Sequence, residues 1–146
     1  MKSLMILITF ASCSVRTIGQ EVFIGATKDK VTGYYIMSIK HNSSGVMDVF
    51  ERVKPVDGQL PAFRKQVMAQ RTHEKLDIDG FEKLGYYRRR IQYSCEGKLF
   101  RLRECTYYDI YGHEITTVDP EQSEAVRWEP VPSSTMREIE FKKACR

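Results

Sequence analysis

The sequence has no apolar run long enough to cross a bilayer. Its N-terminal apolar stretch is Leu4–Phe10, where a spanning helix needs about 20 residues. Histidine is scarce, and His41, His73 and His113 are scattered. His73-Glu74 lacks the second histidine of a zinc-protease helix, and His113-Glu114 follows Gly112 in an expected solvated turn. There is no glycine-rich phosphate loop and no nucleophile elbow. Asp77 and Asp79 precede Gly80 without the remaining ligands of a calcium loop, so "DIDG" reads as a turn that ends a helix. Tyr107, Tyr108 and Asp109 could do acid–base work, but tyrosines alternating in a strand more often pack the core and its rim. No catalytic residue, metal site or cofactor is therefore expected, and the chain reads as a non-enzyme.

Repeats, low-complexity tracts and long linkers are also missing. The 146 residues have room for one domain. With 42% apolar and 29% charged residues the composition is that of a folded protein. Excess charge is small: the formal +4 falls by two without residues 1–19, which carry Lys2 and Arg16. Such a chain is not a polyanion binder by net charge, no nucleic-acid partner is expected, and any basic function has to be local.

What is present begins with an export signature. Lys2 precedes the short apolar run, and small and polar residues follow. Thr17-Ile18-Gly19 suits a cut before Gln20. Alternatively, "FASC" resembles a bacterial lipobox that would leave a lipidated Cys13, although Phe10 stands where an aliphatic residue is usual. Residues 1–19 are thus expected to be an export signal, or a lipoprotein signal ending before Cys13. Residues 20–146 form the single domain, located in the periplasm or on the outer membrane and cell surface.

Along that domain, "EVFIGA" (21–26), "GYYIMSI" (33–39) and "VMDVFERV" (46–53) read as strands, with "HNSSG" (41–45) a loop. "LPAFRKQVMAQRTHEKL" changes period: Phe63, Val67 and Met68 fall at helical spacing, predicting a helix over Ala62–Lys75 with Pro61 suited to its first turn. "YYRRRIQYSC" and "KLFRLRECTYYD" are the strongest strand candidates, and "YGHEITTV" offers one more. "EPVPSS" should stop regular structure. Trp128 just before it is expected to cover a core edge, with an exposed binding anchor as the alternative. "STMREIEFKKAC" closes the chain as a helix capped by Ser134 or Thr135. Thr135 and Glu138 have capping-box spacing, and Lys142 and Lys143 sit in the last turn.

The cysteines turn on one hairpin. A two-residue loop at Glu96-Gly97, with Gly97 at positive φ, sets Tyr93 opposite Phe100, Ile91 opposite Leu102 and Arg89 opposite Glu104, all on one face. Cys95 then pairs with Lys98 beside the turn. Slipping by one residue would mix arginines into that apolar face. Cys105 lies roughly 23 Å along the strand from the turn, beyond disulfide reach of Cys95. The same separation excludes a shared zinc site. In an exported chain the expected bridge is Cys95–Cys145, pinning the last helix on the face of Ile91, Tyr93, Phe100 and Leu102; Cys105–Cys145 is the alternative. Cys105 is otherwise a free thiol with no histidine beside it. The opposite face would carry Arg90 opposite Arg103, Gln92 opposite Arg101, and Arg88 opposite Cys105. These four arginines, Arg88, Arg90, Arg101 and Arg103, are either a solvated surface or a candidate basic face for an acidic ligand.

"GYYIMSI", "VMDVFERV", "YSCEGKLFRLRECTYYDIYG" and "WEPVPSSTMREIEFKKAC" occur in an order that resembles the bacterial surface-adhesin protein E family. The likeness rests on Tyr34 and Tyr35, Cys95, Phe100 to Leu102, Tyr107 to Gly112, Trp128, Pro132 and Ser133, and Cys145, across nearly the whole domain. It implies a small antiparallel sheet with a C-terminal helix tied by Cys95–Cys145, and, as for the family's founding member, adhesion to host matrix proteins. Residues 60–80 are longer than the family's connection, and Cys105 is extra. The expected fold is α+β, with about six antiparallel strands, a C-terminal helix packed on one face and a mid-chain helix. The expected function is a cell-envelope binding module, an adhesin in the reading that the resemblance implies, for an unidentified protein or an acidic glycan or lipid ligand. The alternative is a periplasmic structural or accessory protein. An unpaired strand edge could support a homodimer.

Overall fold

A computed structural model describes residues 15–16, 20–42, 45–119 and 127–146. The expected signal before Val15 with Cys13, both cleavage points and the centre of the "HNSSG" loop lie outside the described residues. Strands β1 (Val15–Arg16), β2 (Val22–Ala26), β3 (Thr32–His41) and β4 (Val46–Pro55) come first, followed by helix α1 (Leu60–His73). A 3₁₀ turn at Phe81–Lys83 leads into β5 (Leu84–Ser94), β6 (Leu99–Asp109), β7 (Glu114–Val118), β8 (Glu129–Pro130) and helix α2 (Met136–Ala144). The class is α+β, as expected.

All pairings are antiparallel. β3, β4, β5 and β6 form a central meander, flanked on one side by β1 and β2 on different halves of β3, and on the other by β7 and β8 on different halves of β6. β8 is a short strand within the "EPVPSS" stretch that was expected to be irregular; it pairs Pro130 with Leu99 and Glu129 with Phe100.

The β5–β6 hairpin has the expected register near its turn: Tyr93 pairs with Phe100, Gln92 with Arg101 and Ile91 with Leu102. The turn itself differs. Ser94 pairs with Leu99, so the loop has four residues and Cys95 and Lys98 belong to it rather than to the strands. Lys98, not Gly97, takes positive φ (51°). A four-residue loop preserves the same register because it moves the two strand ends by equal amounts.

Beyond Ile91 the register shifts by one residue at a β-bulge. Arg90 now pairs with Glu104, Arg89 with Cys105 and Arg88 with Thr106. The expected pairs Arg89–Glu104, Arg90–Arg103 and Arg88–Cys105 are therefore absent. The cause is visible in side-chain spacing: Phe100 and Leu102 are followed by Cys105 and Tyr107, and only an extra residue keeps all four on the core side.

One face of the sheet is covered by both helices. Ile24, Ile36, Val49, Ile91 and Tyr93 pack with Ala144 and Phe141 of α2. Val31, Val53, Phe81 and Leu84 pack with Phe63 and Val67 of α1. Fully burying one such side chain contributes about 1.5–3 kcal/mol. α1 starts and ends two residues before the expected bounds, with Pro61 in its first turn. α2 is capped as expected, Thr135 Oγ1 accepting from the Glu138 amide. Ser134 N, not Thr135 N, donates to Glu138 Oε2 (2.8 Å).

Cys95 and Cys145 are bonded (Sγ–Sγ 2.03 Å), and Cys105 is free and buried. The bond fixes the end of α2 beside the hairpin turn, where the Tyr93 and Phe141 ring centroids lie 5.9 Å apart.

Candidate functional site

Among the described residues no helix covers the second face of the sheet, and the central strands set its side chains in rows. Lys40, Asp48, Gln92 and Arg101 form one row, and Phe50, Arg90 and Glu104 the next. Arg52, Arg88, Thr106 and Thr117 form a third. Arg103 sits at the bulge, close enough to Arg101 to act on its charge. The four arginines read from the sequence thus do share this face, set there by alternation along β5 and β6; the bulge changes only which residues Arg88 and Arg90 oppose.

Carboxylates engage only some of these cations. Arg90 Nε lies 3.5 Å from Asp48 Oδ1. Arg52 pairs with Glu21, which also holds Lys54 at 3.2 Å. Arg88 and Arg101 have no ion-pair partner among the described residues. Arg88 instead lies over Tyr86 and Tyr108, 5.6 and 5.1 Å from their ring centroids. Arg101 donates from Nε to Gln92 Oε1 (2.9 Å) and stacks 4.4 Å over Trp128. Burial, then the neighbouring Arg103, holds the Arg101 guanidinium below its ordinary pKa.

Trp128 is therefore on the arginine face and not at a core edge, because β8 continues the β6 edge and sets it opposite Arg101. Lys40 over Phe50 (4.9 Å) and Lys54 over Tyr35 (4.3 Å) repeat the motif. Ring quadrupoles attract these cations and hold them flat without neutralising them. A depression of 260 Å³ opens on the face between Ser38, Lys40, Phe50, Arg88, Arg90 and Tyr108.

On the helix side sits a group that sequence reasoning missed. Glu51 and Glu140 are both fully buried. Arg89 donates to Glu51 Oε2 from Nε (2.7 Å) and pairs with it through Nη2 (2.6 Å). Arg137 Nη1 lies 3.3 Å from Glu140 Oε1 and 3.7 Å from Glu51 Oε2, and the Tyr93 hydroxyl donates to Glu140 Oε1 (2.7 Å).

Burial is the largest single influence on Arg89 and works against its charge, but Glu51 together with Tyr87, Cys105 and Glu140 outweighs it and the net shift is upward. Glu140 goes the other way: burial, then the Glu51 charge, push its pKa up to about 8. Glu51 Oε1 and Glu140 Oε2 lack other partners, and the two carboxyl groups lie within hydrogen-bonding reach. One shared proton satisfies both oxygens. Its two carboxyl groups are fully buried between β4, β5 and α2, so the cluster clamps α2 onto the sheet. Its only trace in the sequence is Glu51, set on the apolar side of β4 with Met47, Val49 and Val53.

The other candidate groups stay apart. His113 and Asp109 (Nδ1···Oδ2 3.1 Å) form an exposed turn, where Asp109 also accepts from the amides of Tyr111 and His113. Tyr108 stacks on Tyr86 on the open face, while Tyr107 packs on Phe81 and Tyr87 under the helices. Asp77 Oδ1 accepts from the Asp79 amide, which makes "DIDG" a turn. No group of three or more metal-ligating side chains occurs among the described residues, and none of their helices is long and apolar enough to cross a membrane.

Comparison with protein-family models, with curated proteins and with solved structures finds no match.

Proposed function

We propose that the chain is an exported cell-envelope binding module that takes a sulfated glycan on its open, arginine-bearing sheet face. The observation that carries this reading is the state of Arg88 and Arg101. Both are held in place by aromatic rings, and neither has a carboxylate within ion-pair distance among the described residues. Flat, preorganised guanidinium groups bind sulfate oxygens in a bidentate fashion and lose little side-chain freedom on doing so. The rings of Phe50, Tyr86, Tyr108 and Trp128 between them suit the apolar faces of sugar rings. The Cys95–Cys145 bond fits an oxidising compartment. The resemblance to the surface-adhesin protein E family supports the adhesin part of this reading, since its founding member adheres to host matrix proteins.

Heparin affinity chromatography tests the reading. The wild-type protein is expected to be retained and to elute with rising salt. Arg88→Ala plus Arg101→Ala should elute earlier, with the salt dependence of binding reduced by roughly one counterion for each cation removed. Unchanged retention of the double variant would favour a periplasmic accessory protein with a merely solvated arginine face.

A further inference from the structure

A second cavity lies on the helix side, remote from the arginine face. Its volume is 240 Å³, and α1 walls it against β5, β6 and β7. Val67, Leu76, Leu102 and Val118 give it apolar walls, and Tyr87 and Tyr107 contribute aromatic ones. Two arginines, Arg71 and Arg89, line it as well.

Their electrostatic states differ. Arg89 is neutralised by Glu51 at 2.6 Å. Arg71 is only 5% exposed and has no carboxylate partner among the described residues. Its Nε donates to the Asp77 carbonyl (2.8 Å), and its guanidinium lies 4.4 Å over Phe81 and 4.9 Å over Tyr107. Its Nη1 is buried without any hydrogen-bond partner. Glu74, one turn along α1 and also in the cavity wall, accepts from Gln70 Nε2 (3.0 Å) instead of pairing with Arg71.

An arginine does not shed its proton to escape such a site. A buried cation without a counter-ion is costly, so the site favours any small anion that can reach it. We propose that this cavity binds a small monocarboxylate carried on an apolar or aromatic body, with Arg71 as its counter-ion. One uncompensated positive charge selects a monoanion, and Glu74 in the wall disfavours a second negative charge. The aliphatic and tyrosine walls suit an apolar body, and the volume lies just below the range of about 300–1,000 Å³ that holds drug-sized ligands.

The experiment is an amide-resolved NMR titration of the full protein with sodium benzoate, run beside benzyl alcohol and inorganic phosphate. Benzoate is expected to shift the amides of Val67, Leu102 and Tyr107 saturably, with a dissociation constant of about 1 mM. Benzyl alcohol and phosphate should bind at least about tenfold more weakly, since each lacks one of the two features recognised. Arg71→Gln should cost benzoate at least about tenfold in affinity. Leu76→Trp, at an exposed rim position that leaves Arg71 in place, should weaken binding by filling the mouth, and it decides the matter if Arg71→Gln does not fold. Absence of saturable shifts at these amides, equal binding of benzyl alcohol or phosphate, or undiminished binding in either variant overturns the proposal. Arg88→Ala plus Arg101→Ala should leave benzoate binding unchanged, so failure here is separable from failure of the glycan reading.

Discussion

Replacing Cys95 and Cys145 with serine is expected to lower the unfolding free energy by about 4 kcal/mol. The bond closes a loop with a sequence separation of 50, and loop-closure entropy of the unfolded chain sets that magnitude. A loss of this size is a large share of the roughly 5–15 kcal/mol that holds a domain together. The folded state has its own reason to suffer. α2 has only nine residues, too few to be stable alone. Its grip on the sheet consists of Ala144 and Phe141 in the core and the Arg137 and Glu140 contacts. Urea denaturation of the wild type and the double variant, both with Cys105 kept, measures the effect. A loss below about 1 kcal/mol would mean that packing and the buried charges hold α2 without the bond.

The second large effect is a fall in stability between about pH 5 and pH 8. Glu140 titrates near its ordinary value of 4.5 in the unfolded chain and near 8 in the folded one. Between those values the folded state holds a proton that the unfolded state has released, so stability declines as pH rises. The contribution is complete below the unfolded pKa and gone above the folded one. Its full size, from below the unfolded pKa to above the folded one, is about 5 kcal/mol. The groups that face Glu140 are Glu51 on β4, Tyr93 and Arg89 on β5, and Arg137 on its own helix.

Glu140→Gln keeps an acceptor for Tyr93 and a donor for Glu51 but cannot ionise. It should match the wild type near pH 5, exceed it near pH 8, and show a flatter profile throughout. The difference between the two curves isolates Glu140. Parallel curves would show that the two carboxyl groups do not share a proton.

Much of this fold is legible in the chain, for identifiable reasons. Alternation of Ile91 and Tyr93 against Phe100 and Leu102 specifies the hairpin register, because a one-residue slip would bury arginines. That register alone separates Cys95 from Cys105 and leaves Cys145 to be paired. Thr135 and Glu138 mark the start of α2 through local capping chemistry, which depends on nothing distant.

The bulge escaped because a pairing rule propagated from the turn assumes a regular ladder. Its signal was nonetheless present: the core positions step by two to Leu102, then by three to Cys105. β3 carries the same mark, with Ile36 and Ile39 both on the core face across a register shift. Trp128 was misplaced because a two-residue strand has no periodicity to read. The Glu51–Arg89–Arg137–Glu140 cluster and the Arg71 cavity are different in kind. Their charges lie far apart in sequence, and only tertiary contact makes them partners, so no local pattern distinguishes them from surface residues.

The division of the sheet into a closed, helix-covered side and an open, cationic side is tested most directly by where a sulfated ligand lands. The measurement is NMR shift mapping with a heparin hexasaccharide. The expected footprint centres on Arg88, Arg90, Arg101 and Arg103 and includes the indole of Trp128. A footprint on the exposed lysines of the helices, Lys65, Lys142 and Lys143, with the arginine strands undisturbed, would contradict it.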